Sequence, residues 1–196
     1  MPEIQHGIDR REAIRRVTAL LGGAALAGGT GLFAAVERAH ARAATLREVG
    51  TFTAQDVVLL DEVADTILPD TKTPGAKAAH TGAFMALMVT DTYDEQQQAI
   101  FRDGMQKLND AAFMAATPAQ RLAKLELLDR EQKSYMDARA QGAPPHYFRL
   151  MKELALLGYF TSEIGCTQAM RYRETPGRFD PCVPYTPGET TWAGHA

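Results

Sequence analysis

The 196 residues carry a net charge of -3 and a pI near 6.0, so the chain has no polybasic surface able to neutralise a run of phosphates, and nucleic acid is excluded as a partner. There are only two cysteines, Cys166 and Cys182, and neither a CxxC pair nor a haem-attachment motif, which excludes a multi-thiolate metal site within the chain. The length suits one domain once a targeting segment is set aside: residues 1–43 hold six of the 21 basic and four of the 24 acidic residues, a basic leader ahead of a mildly acidic body.

That leader is polar up to Arg16 and then runs apolar from Val17 to Val36, with five glycines and many alanines in the run. A permanent membrane helix would favour Leu, Ile and Val. Arg10 and Arg11, followed by Glu12, Ala13, Ile14 and Arg15, resemble the twin-arginine export motif, although Asp9 stands where Ser or Thr is usual and Ala13 where a larger apolar residue is usual. Ala39, Ala41 and Ala43 supply the small residues at alternate positions that a signal peptidase requires. Residues 1–43 are therefore expected to be a twin-arginine signal peptide, with an ordinary secretory signal or an uncleaved anchor as the alternatives; each places the body outside the cytoplasm. Gly29, Gly31 and Ala34 match the spacing of a dinucleotide fingerprint, but no strand precedes them, and they belong to the leader.

The body, residues 44–174, reads as all-α. Thr53 with Asp56 forms a capping-box start, and Val57, Leu60, Val63, Ala64, Ile67 and Leu68 follow at helical spacing until Pro69. Residues Asp70–Gly75 form a turn-rich linker, and Phe84, Leu87 and Met88 mark a second helix. A third is expected over 94–115, with Ile100, Met105, Leu108 and Ala112 inward. Thr117, Pro118 and Gln120 start a fourth, whose inner face is Leu122, Leu125, Leu128 and Gln132. A break at Gln141–Pro145 precedes a fifth stretch from His146 to Ile164, with Gly158 and Gly165 as close-packing points. The carboxylates Asp56, Asp61, Glu62 and Asp65 read as a solvated face of the first helix.

From Thr175 the chain holds prolines at 176, 181, 184 and 187, so residues 175–196 are expected to be an extended tail whose Phe179, Tyr185 and Trp192 need a surface to lie on, in this domain or in a partner. His80, His146 and His195 show no spacing of helical metal ligands. Cys166 could act as a nucleophile beside His146, but the exported compartment favours a Cys166–Cys182 disulfide, which would contribute roughly 3 kcal/mol by loop closure.

The runs Gly158–Gly165, Thr167–Tyr172 and Pro176–Pro184, together with Phe52, Thr53 and the Ile67–Pro69 helix end, resemble the gluconate 2-dehydrogenase subunit 3 family. The resemblance spans about Phe52 to Pro184. It implies a small subunit without a redox centre or catalytic residue of its own, paired with a large FAD-dependent dehydrogenase of the glucose-methanol-choline type that oxidises sugars, sugar acids or alcohols. It further implies a multihaem cytochrome c as electron acceptor and a place in the periplasm, held at the inner membrane through the complex. The small subunit would carry the signal to the twin-arginine translocase for both chains, since a flavoprotein folds around its cofactor before export. An independent periplasmic helical binding protein is the alternative, and would require a concave apolar pocket.

Overall fold

The structure is a computed structural model that describes residue 40, residues 49–173 and, beyond them, 177, 182, 184 and 186–193. Among the described residues five α-helices form the body: α1 (Ala54–Ile67), α2 (Thr81–Thr92), α3 (Glu95–Asp110), α4 (Pro118–Ala138) and α5 (Tyr147–Phe160), followed by a π-helical turn over Gly165–Ala169. The described residues contain only two isolated β-bridges and no strand. The described residues are all-α, as the periodicity predicts.

Helix α2 is apolar or small all round, so it can only be stable at the centre. It packs between α1 and α5, α3 closes against α5 and α2, and α4 lies across α1 and α5. Phe84 and Met85 of α2 join Phe52, Leu60, Val63, Phe101, Phe113, Phe148 and Met151 in a single core. Gly82 lets α1 and α2 approach to backbone contact, and Gly158 of α5 faces the Phe84 ring.

Local chemistry fixes the helix starts. Thr53 with Asp56, Asp94 with Gln97 and Thr117 with Gln120 each form a reciprocal capping box, and such caps contribute about 1 kcal/mol apiece. Helix α2 begins differently: His80 takes a left-handed conformation, and the Gly82 amide donates to Asp61 Oδ1 on α1 at 2.7 Å. This corrects the reading of the α1 carboxylates as a solvated face. Asp56 caps its own helix, Asp61 caps α2, Glu62 pairs with Arg121 of α4 and with Lys77, and Asp65 accepts from the Lys77 amide. Burial raises the Asp61 carboxyl above the usual carboxylate range, and the bond from Gly82 opposes that shift.

Two boundaries and one helix face differ from expectation. Helix α3 stops at Asp110 rather than 115, because burying Phe113 requires the chain to turn back. The Phe113 amide donates to Leu108 O and the Ala112 amide to Asn109 O, a Schellman end with Ala112 left-handed at φ 51°. Glycine avoids the steric penalty there, so Ala112→Gly should stabilise the protein by about 1 kcal/mol in a urea titration; a loss of stability would show that the Ala112 methyl contributes packing instead. Helix α5 ends at Phe160, where Ser162 Oγ donates to Tyr159 O and accepts from the Gly165 amide, starting the π-helical turn. On α4 only Leu125 and Gln132 are buried, and Leu122, expected inward, is 48% exposed.

Candidate partner interface

The end of α5 and the tail build one edge of the molecule. Beyond the π-helical turn, Arg171 donates its amide to Thr191 O at 2.9 Å and accepts from the Ala193 amide at 2.7 Å, in a parallel bridge. Its guanidinium lies 4.5 Å from the Trp192 ring centroid, and Nη2 reaches Glu189 Oε2 at 3.4 Å. A guanidinium over an indole face contributes about 0.5–1 kcal/mol at an exposed site. The tail thus returns to its own domain, and Trp192, one of the three expected anchors, finds its surface on Arg171 while keeping 48% of its area exposed. Phe179 and Tyr185 lie outside the described residues.

The expected disulfide is not formed: Cys166 and Cys182 are both free. The Cys166 thiol turns back onto the carbonyl of Phe160 at 3.3 Å, satisfied within its own helix end rather than by the tail. Burial raises its pKa, which disfavours the thiolate that a nucleophile requires. His146 stands at the other end of α5, fourteen residues of helix away, roughly 20 Å, so the structure does not bring Cys166 and His146 together.

Leu157 and Phe160 are exposed on α5, and on α4 Leu122, Leu127 and Tyr135 are exposed, Leu127 by 59%. Helix α4 is long and well capped yet buries little of itself in this domain. Large apolar side chains left exposed on helices are candidates for surfaces that a partner covers. A cleft of about 330 Å³ between the start of α1 and the end of α3 is lined by Val58, Leu59 and Met114 together with the capping pair Thr53 and Asp56. Its one carboxylate is already committed to the α1 cap, so the cleft offers no acid–base pair.

His40, just ahead of the body, stacks on Phe84 with ring centroids 4.5 Å apart and 15° between planes, and its Nε2 lies 3.0 Å from Thr161 Oγ1. No periodicity marks this residue in the sequence. Its partners are 44 and 121 positions away along the chain.

Comparison with protein families finds a match to the family described as gluconate 2-dehydrogenase subunit 3, over residues 54–177. The chain belongs to that family. Membership makes it an accessory subunit, and the match begins just after Phe52 and Thr53 and ends before the run Arg178–Pro184 that also suggested it. Comparison with curated proteins and with solved structures returns no match.

His146 and His80 serve structure. His146 caps α5 by accepting from the Phe148 amide at Nδ1, 3.2 Å away, and His80 sits at the turn into α2; His195 lies outside the described residues. Among the described residues no group of three His, Cys, Asp or Glu is placed to hold a metal ion, and no helix is long and apolar enough to cross a membrane. Arg10, Arg11, Ala39, Ala41 and Ala43 also lie outside the described residues.

Burial lowers the His146 pKa below its ordinary value, more than nearby Glu131 raises it. The unfolded chain therefore binds more protons at this position, and stability falls as pH drops below the unfolded value of about 6.5 and through the folded one. His40 has the same sign, again through burial. His146→Asn keeps a good cap without the titration, so the stability lost between about pH 7.5 and pH 5.5 should be smaller in that variant, by chemical denaturation at both pH values. Equal losses would show that His146 does not contribute.

Proposed function

We propose that this chain assembles with a FAD-dependent dehydrogenase of sugars, sugar acids or alcohols, contributes no catalytic group to it, and directs its export through the twin-arginine translocase. The family match over residues 54–177 carries the reading. Residues 1–43 then form the signal, read at Arg10 and Arg11 and removed near Ala39, Ala41 and Ala43, and the complex works in the periplasm, attached to the inner membrane, passing electrons to a multihaem cytochrome c. Binding the folded flavoprotein before export needs a large, partly apolar surface. The exposed apolar residues of α4 and of the end of α5 fit that need. Phe179, Tyr185 and the open face of Trp192 extend it along the tail, residues 175–196.

Co-expression with a tagged flavoprotein tests the assembly. The wild-type chain should co-purify with it, and Leu127→Glu or Phe160→Glu should reduce recovery roughly tenfold or more, because a charge would then be buried at the interface. Full recovery with both variants would place the contact elsewhere; failure of the wild-type chain to co-purify would overturn the assembly itself.

A further inference from the structure

The slot that receives His40 is built from two distant parts of the body, α2 and the end of α5. Phe84 of α2 forms its floor and is fully buried. Gly158 of α5 leaves no room behind that ring, since a Cβ there would stand 2.7 Å from Phe84 Cδ1, so the ring is held in place. Thr161, at the end of α5, gives its hydroxyl proton to Leu157 O at 2.6 Å. Its oxygen therefore faces His40 as an acceptor, and the His40 ring donates from Nε2. The imidazole is thus both stacked and hydrogen-bonded, and it is a single residue preceding the body that makes these contacts.

His40 also lies between Ala39 and Ala41, inside the stretch expected to be cut. We propose that the Phe84–Thr161 slot is a docking site for the leader junction, and that a signal peptidase can remove the leader only when His40 leaves the slot. This rests on the export reading above. A peptidase that reads small residues at alternate positions binds its substrate as an extended strand, so the backbone beside Ala39, Ala41 and Ala43 has to be free of other contacts. His40 sits three positions before Ala43, the end of the A-x-A pair at Ala41/Ala43, and within the pair at Ala39/Ala41. Processing is then set by the fraction of molecules with His40 undocked, as proteolysis of any locally opened segment is when opening is fast.

The bonds after Arg38 and Arg42 are two residues either side of His40, so trypsin reports docking independently of export. The full chain, wild type and with His40→Ala or Thr161→Val, would be exposed to trypsin, with cleavage at those two bonds followed by mass spectrometry and helical content checked by circular dichroism. Leader removal would be followed in cells by pulse–chase. Both variants should be nicked faster, roughly tenfold for loss of a ring contact and a hydrogen bond, and both should be processed faster by a similar factor. Thr161→Val acts from the body and leaves the peptidase's substrate unchanged, so acceleration in His40→Ala alone would assign the effect to substrate recognition and overturn the proposal. Unchanged nicking in both variants would overturn the docking, and faster nicking with unchanged processing would overturn its control of processing. If no leader is removed from any of the three proteins although nicking behaves as expected, the failure belongs to the export reading, and the proposal falls with it while the slot stands.

Discussion

Gly82→Ala should destabilise the body by about 3 kcal/mol or more and lower its melting temperature by roughly 10 °C. A Cβ at this position would stand 2.6 Å from Asp61 Oδ1 and 2.7 Å from Val57 O, and inside contact distance of the Asp61 amide nitrogen. Two of these three are backbone atoms of α1, which cannot swing away as a side chain can. Separating α1 from α2 would also stretch the Gly82–Asp61 hydrogen bond, leaving a partly buried carboxylate and a helix-start amide without each other. Against a total stability of about 5–15 kcal/mol, such a loss is large. Gly104→Ala makes a useful comparison, because there the three nearest atoms all belong to the Tyr147 side chain and none to backbone, and the effect should be smaller. Thermal and urea unfolding of both variants would decide it. A Gly82→Ala protein melting within about 2 °C of wild type would mean that the two helices are not in backbone contact.

Much of the fold was legible because its signals are local. The capping pair at Thr53 and Asp56, and the Thr117, Pro118 and Gln120 start, lie within four residues, so pattern alone finds them. The α5 stripe from Phe148 to Tyr159 and the close-packing role of Gly158 were legible for the same reason. Features that depend on distant partners were not. Asp61 looks like any exposed helix carboxylate until α2 is laid over it. Ala112 is a good helix former, and only the burial of Phe113 explains why the helix turns there. Leu122 has the spacing of a core residue but faces outward, because spacing identifies an apolar face without identifying what covers it. The paired cysteines were inferred from compartment and number alone, which cannot register that the Cys166 thiol is already bonded to Phe160 O. Trp192 was recognisable as a ring in need of a surface, but Arg171, which meets it, lies twenty-one residues earlier in the chain. His40 had no local signal at all.

If this accessory subunit carries the export address for an enzyme that has none of its own, the double substitution Arg10→Lys with Arg11→Lys should strand that enzyme in the cytoplasm. Lysine keeps both positive charges but replaces the planar guanidinium fork with a compact ammonium, so an effect of this change reads recognition geometry rather than net charge. Neither arginine belongs to the 54–177 family region, so assembly with the flavoprotein should be intact and the complex should form in the cytoplasm with FAD bound. The measurement is dehydrogenase activity in separated periplasmic and cytoplasmic fractions, with co-purification of the two subunits from each. The expected result is periplasmic activity at background and an assembled, active complex retained in the cytoplasm. Normal periplasmic activity in the double variant would contradict the claim, because the flavoprotein would then be reaching its compartment without this subunit's signal.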